Sequence, residues 1–186
     1  MAISTLDPNT ALLVIDLQKG IAALPTAHPM QDVINNAATL LDAFRGRDLP
    51  VVLVNVDARA PGRTERSFST DGFPADWTDL VPELKQQPGD HAVTKRTWGA
   101  FTNTDLERYL RQRGVTQVVV AGVATSAGVE STARHAHELG FNVALAVDAM
   151  TDMDSEAHLN SVTRVFPRIG ETGTTRELID RLGSHA

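Results

Sequence analysis

Short apolar runs alternate along this chain with stretches whose apolar residues recur every three or four positions. Ala11 to Ile15 (ALLVI) and Val51 to Asn55 (VVLVN) read as buried strands, and between them Val33, Ala37, Leu40, Leu41 and Phe44 share one helical face that closes near Gly46. His91 to Lys95 is a third strand. Asn103 or Thr104 is placed to cap a helix that buries Leu106, Tyr109 and Leu110 and ends at Gly114. Gln117 to Ala121 is the fourth strand. A helix from about Gly128 buries Val129, Thr132, Ala133 and Ala136 and stops at Gly140. Asn142 to Val147 is the fifth strand, and Thr151, Asp152 and Asp154 offer caps for a helix reaching about Val165. Val165 to Ile169 is the candidate sixth strand, and Thr174-x-x-Glu177 is a capping box for the last helix.

Strands alternating with helices predict an α/β fold with three layers, α/β/α, around a doubly wound, mainly parallel six-stranded sheet. The stretch from about 58 to 88, rich in Pro, Gly, Ser, Thr and Asp, is a long irregular connection of the kind that tends to be functional. No repeat, low-complexity tract or linker divides the chain, so residues 1–186 read as a single domain.

Composition narrows the partners. A net charge of −6 with no basic block argues against nucleic acid. The N-terminus has neither a basic region nor a long apolar run, since Asp16 interrupts the first one, so no signal peptide or membrane span is expected and the cytoplasm is the default location. The chain has no cysteine, which excludes disulfides, thiolate metal sites and any thiol nucleophile. His135 and His137 stand two apart on a helix, and His28, His91 and His158 are scattered, so no metal site and no cofactor are expected.

In open parallel sheets, ligands bind beyond the carboxyl ends of the strands, near the point where the order reverses. Three features stand at such ends: Asp16 after the first strand, Lys95 at the end of the third, and the turn Gly122 to Gly128 after the fourth. With strand order 3-2-1-4-5-6, Asp16 and Gly128 flank one crevice and Lys95 reaches into it. Alone, Asp16 reads equally as a turn cap and Lys95 as a solvated lysine; their joint placement promotes both.

The motifs Ile15-Asp16-Leu17-Gln18, Val93-Thr94-Lys95-Arg96 with Phe101, Gly122-Val-Ala-Thr125 with the helix from Val129 to Ala136, and Phe166-Pro167-Arg168 together resemble the isochorismatase-like cysteine hydrolases, from about residue 10 to about residue 180. That resemblance implies a Rossmann-like hydrolase fold, Asp16 and Lys95 as catalytic groups, and Gly128 at the position of the missing nucleophile. It also implies a non-proline cis peptide between Val123 and Ala124, backbone donors from the turn, a small-molecule substrate and a homodimer or larger homo-oligomer. Without the thiol, covalent acyl transfer is unavailable. Some family members that lack the cysteine hydrolyse a vinyl ether instead, which implies a small anionic metabolite as substrate and Asp16 as general acid. A catalytically silent binding protein, or an amidase whose nucleophile has been replaced by Gly128, are the alternatives.

A general acid must hold its proton, whereas a neighbouring lysine lowers a carboxyl pKa and burial raises it. The reading favoured from sequence is that an anionic substrate neutralises Lys95 and so lifts Asp16. Around this centre, Gln18 either orients Asp16 or satisfies local backbone, and Arg63, with Arg59, offers a carboxylate clamp. Trp98 and Phe101 either wall the pocket or pack the core. Ala124, Thr125 and Ser126 line the turn. Thr125 and Ser126 are substitute nucleophiles on paper, but they read better as turn and cap residues, with no histidine nearby in sequence. Gly128 also predicts extra room where a sulfur would stand.

Overall fold

The computed structural model describes residues 3–57, 60, 62–65 and 72–183. The strands are β1 (Thr10–Ile15), β2 (Val51–Val56), β3 (His91–Lys95), β4 (Gln117–Val123), β5 (Asn142–Thr151) and β6 (Glu171–Gly173). All pair in parallel, in the order β3-β2-β1-β4-β5-β6. The helices are α1 (Lys19–Ala22), α2 (Met30–Arg45), α3 (Leu106–Gln112), α4 (Glu130–Glu138), α5 (Ser155–Asn160) and α6 (Thr175–Leu182).

The uninterrupted apolar strands follow from coverage on both faces. Leu12, Val14, Leu53, Val119 and Ala121 point into one core with Val33, Leu40, Leu41 and Phe44 of α2 and Leu178 of α6. The alternate residues Leu13, Ile15, Val52, Val118 and Val120 enter a second core with Leu106 and Leu110 of α3 and Val129, Ala133 and Ala136 beside α4. This is the three-layer, doubly wound arrangement that the hydrophobic pattern predicts.

Several boundaries differ from the pattern. The sixth strand is Glu171–Gly173, not Val165–Ile169; residues Ser161–Val165 form a π turn and Phe166–Arg168 a 3-10 turn with Pro167 near its start. Proline lacks the N–H a strand ladder needs, and Phe166 is buried in the second core, so this segment turns rather than extends. The helix expected from about Gly128 begins at Glu130, after a π turn over Thr125–Val129. β5 runs four residues past Val147: beyond a bulge Met150 and Thr151 pair with Gly122 and Val123, and Asp148, within the strand, accepts hydrogen bonds from the N–H and hydroxyl of Thr175 at the start of α6. Asp154 caps α5, and Thr174 and Glu177 form the expected capping box. Tyr109 is half-buried, its ring stacked on His91 at 3.8 Å.

The carboxyl edge of the sheet is level where the chemistry is expected. Ile15 pairs with both Val54 and Gly122, and Val56 pairs with Lys95. Gly122 has φ +119°, and a Cβ there would lie 2.0 Å from the Ile15 carbonyl oxygen. Only glycine lets β4 leave the sheet this close to β1. Gly122→Ala is therefore expected to cost on the order of 3 kcal/mol of stability, from backbone strain plus displacement of β1. Urea unfolding of the two proteins checks it; a loss under about 0.5 kcal/mol, the usual surface range, would refute it.

Candidate active site

Asp16 is the first residue beyond β1. Its backbone is left-handed, φ 52°, a conformation aspartate tolerates better than most residues. Its N–H still donates to the Val54 carbonyl at 2.9 Å, so the chain turns immediately after its last sheet contact. The side chain is buried, and Oδ2 accepts a 2.7 Å hydrogen bond from Lys95 Nζ. Lys95 is 2% exposed and also donates to the Thr97 carbonyl at 3.1 Å. Asp16 Oδ1 is enclosed and has no hydrogen-bond partner.

A Cβ at residue 128 would lie 3.1 Å from Asp16 Oδ2, 3.1 Å from the Ile15 Cγ2 methyl and 3.4 Å from the Val123 carbonyl oxygen. The fold thus brings Asp16, Lys95 and Gly128 together. The space at Gly128, however, is not open. The Asp16 carboxylate leans against it, so the extra room expected there is largely taken by the acid itself.

Burial is the largest influence on Asp16 and raises its pKa to about 6, against the opposing pull of the Lys95 charge and hydrogen bond. This corrects the sequence-based preference. Desolvation already outweighs the lysine in the protein alone, so the carboxyl is lifted before any anion binds.

The turn itself is held by its own backbone and by side chains from the far end of β5. The Val123–Ala124 peptide is cis. Ala127 and Val129 donate their N–H groups to the Ala124 carbonyl, and Thr132 Oγ1 donates to the Gly128 carbonyl at 2.7 Å. Thr125 is fully buried, its hydroxyl 2.8 Å from His158 Nδ1. The Ser126 N–H and hydroxyl both donate to Asp152 Oδ2, at 2.7 and 2.8 Å. His28 lies beside His158 with ring centroids 4.6 Å apart, and its Nδ1 is 3.0 Å from the Thr151 hydroxyl.

These partners were missed. His28 and His158, scattered in sequence, meet in space, and Thr125 does have a histidine beside it. Ending the fifth strand at Val147 hid the signal. Had it been extended to Thr151, the rule that sites gather at strand ends would have picked out Thr151 and Asp152.

Other expected site residues are placed as follows. The Gln18 amide is used up on backbone: it donates to the Val56 and Trp77 carbonyls and accepts the Val56 N–H. Of its two readings, local backbone satisfaction is the one seen. Phe101 is buried in the second core between His135 and Phe141, whereas Trp98 is 68% exposed. Ala124 is buried at the start of the turn, and Arg63 is exposed. Arg59 lies outside the described residues. Asp57, after β2, is gripped by Arg96 at 3.0 and 3.2 Å. Among the described residues no group of three or more His, Asp or Glu is placed to hold a metal ion.

Chemically, the site offers a carboxyl group that burial pushes up to about 6, with one oxygen free and the other hydrogen-bonded to an ammonium. Lys95→Met is expected to move the Asp16 midpoint above 6, because the lysine is what holds it down. Carboxyl carbon NMR across pH 4–8 reads the shift; a midpoint that stays put or falls would show that the lysine does not hold the carboxyl down.

Comparison with known proteins agrees on one family. The isochorismatase domain model matches residues 10–177. The isochorismatase family protein YwoC of Bacillus subtilis is 43% identical over 181 residues, covering 94% of each chain. Nicotinamidase 3 of Arabidopsis thaliana is 31% identical over 169 residues, covering 82% of this chain and 79% of its own. The structure of an isochorismatase family protein from Burkholderia thailandensis superposes with a TM-score of 0.94 at 39% identity, covering 98% of this chain and all of that one.

Proposed function

The chain belongs to the isochorismatase family, and we propose that it hydrolyses a small anionic metabolite by non-covalent, acid-assisted cleavage of an enol ether of the isochorismate type. One observation carries the reading: Asp16 Oδ1 is buried, unpartnered and part of a carboxyl group raised to about 6. A protonated carboxyl with a free oxygen is what vinyl-ether hydrolysis needs, and nothing in that reaction needs a thiol.

The steps use few groups. Asp16 transfers its proton to the terminal vinyl carbon, and the ether oxygen stabilises the resulting oxocarbenium ion. Lys95, already hydrogen-bonded to Oδ2, stabilises the carboxylate left behind. Water adds to the cationic carbon and returns a proton to the site. The hemiketal then breaks its bond to the departing alcohol, leaving pyruvate.

The pH dependence follows from the acid's role. The proton is present below about pH 6 and is lost as the pH rises through it, so kcat/KM falls on the alkaline side. Asp16→Asn should lower kcat for isochorismate by about 10²- to 10⁴-fold, the usual worth of one acid–base group. Amides should remain uncleaved by the wild type. A coupled assay for pyruvate checks the first claim and ammonia release the second. Isochorismate turnover unaffected by Asp16→Asn would sink the mechanism, and absence of turnover together with tight binding would favour a silent binding protein.

A further inference from the structure

We infer that His158 is a positioning residue for the turn over Thr125–Val129: its neutral imidazole accepts the Thr125 hydroxyl hydrogen and thereby fixes the backbone that abuts Asp16. The inference rests on the reading of Asp16 and Gly128 as the reacting centre.

The geometry is local and complete. Thr125 opens the π turn and is fully buried, so its hydroxyl hydrogen needs an acceptor inside the protein. His158 Nδ1 is 2.8 Å away, on a helix that begins only after β5. The next residue, Ser126, is held through two hydrogen bonds to Asp152 on the same segment. Two successive residues of the turn are therefore tied to residues 152–158, while farther along the turn Gly128 lies so near Asp16 that a Cβ there would come within 3.1 Å of Oδ2. A shift of the Thr125 anchor changes the approach of the backbone at 128 to the carboxyl.

The groups that surround His158 favour the neutral ring. His28 packs against it, and a charged His158 would face any charge on that neighbour. Asp152, at the end of β5, pulls the other way, but its Oδ2 is occupied by Ser126 and its Oδ1 accepts the Asp154 N–H. On its own helix, the Asp154 side chain is engaged with the N–H groups of Glu156 and Ala157, and Glu156 is exposed. Glu130, the first charge beyond the turn, is bonded to Ser161 and Arg134. The net direction is downward from the ordinary histidine value, chiefly through burial, then through His28.

Protonation would place a hydrogen on Nδ1, facing the Thr125 hydroxyl. The hydroxyl would have to turn over, and its own hydrogen would lose its acceptor. On the acid side the turn is thus released, while on the alkaline side Asp16 loses its proton. His158 and Asp16 bound one working window from opposite ends.

A substrate-free test uses nitrogen-15 NMR of the imidazole in the intact protein. At pH 7 the Nδ1 of His158 should show the shift of a hydrogen-bonded acceptor with the proton on Nε2. The Gly128 amide should move with the His158 midpoint. Thr125→Val should raise that midpoint and uncouple Gly128, whereas Thr125→Ser should restore both. A proton on Nδ1 at pH 7, or a Gly128 amide blind to the titration, overturns the inference.

With isochorismate, His158→Gln should remove the acid limb of kcat/KM and leave its alkaline limb near pH 6, at a cost of about tenfold in kcat with KM little changed. An acid limb that survives in His158→Gln also overturns it. If isochorismate is not turned over at all, the proposed reaction fails while the NMR arm still decides the role of His158.

Discussion

The structure turns on the burial of one carboxyl group against one ammonium. Asp16 and Lys95 come from strands separated by β2, and each is almost wholly withdrawn from water. Taking a carboxylate out of water costs several kcal/mol, and a single lysine repays that only when geometry and remaining hydrogen bonds are complete. Here they are not complete. Lys95 satisfies Oδ2 and a backbone carbonyl, but Oδ1 is left with nothing. The carboxyl therefore keeps its proton to a higher pH than an ordinary aspartate does. A fold selected for stability alone would have supplied Oδ1 with a donor. Leaving it bare keeps an acid that can part with a proton near neutral pH.

Everything around the pair maintains that imbalance. Gly122 lets β4 pass so close to Ile15 that no side chain fits between them, and the chain then turns tightly instead of continuing. The π turn brings residue 128 against Oδ2, and its hydrogen bonds to His158, Asp152 and Thr132 keep it there. Packing on both sheet faces supplies the rigid edge from which these loops project. A π turn at this point is consistent with the tendency of such irregular turns to mark functional sites.

Much of this was legible because the relevant rules are local. Continuous apolar strands require cover on both faces, and the order of strands and helices then puts Asp16, Lys95 and the Gly122–Gly128 turn on one edge. What was not legible was tertiary. Asp148 looks like the end of a strand, yet Thr175 satisfies it from a helix nearly thirty residues away, and β5 continues to Thr151. Gln18 could be read as orienting Asp16 or as satisfying backbone, and only the fold shows the N–H and carbonyl of Val56 taking its amide. The pairing of Thr125 with His158 depends on where α5 lands on the turn, and no periodicity encodes that.

Glycine at 128 and the raised acid are best understood as one feature. A side chain at 128 would press on Oδ2 at 3.1 Å, so Asp16 or Lys95 would have to give way to admit it. A thiolate there would also place a second negative charge beside the carboxylate, and both would draw on the same lysine. With glycine, Lys95 serves Asp16 alone, and the carboxyl can settle into the space against the turn. The pKa of the acid then depends on two opposed quantities only, its burial and its lysine. The close approach of Asp16 to Gly128 is thus the arrangement that seats the carboxyl between the turn and its lysine.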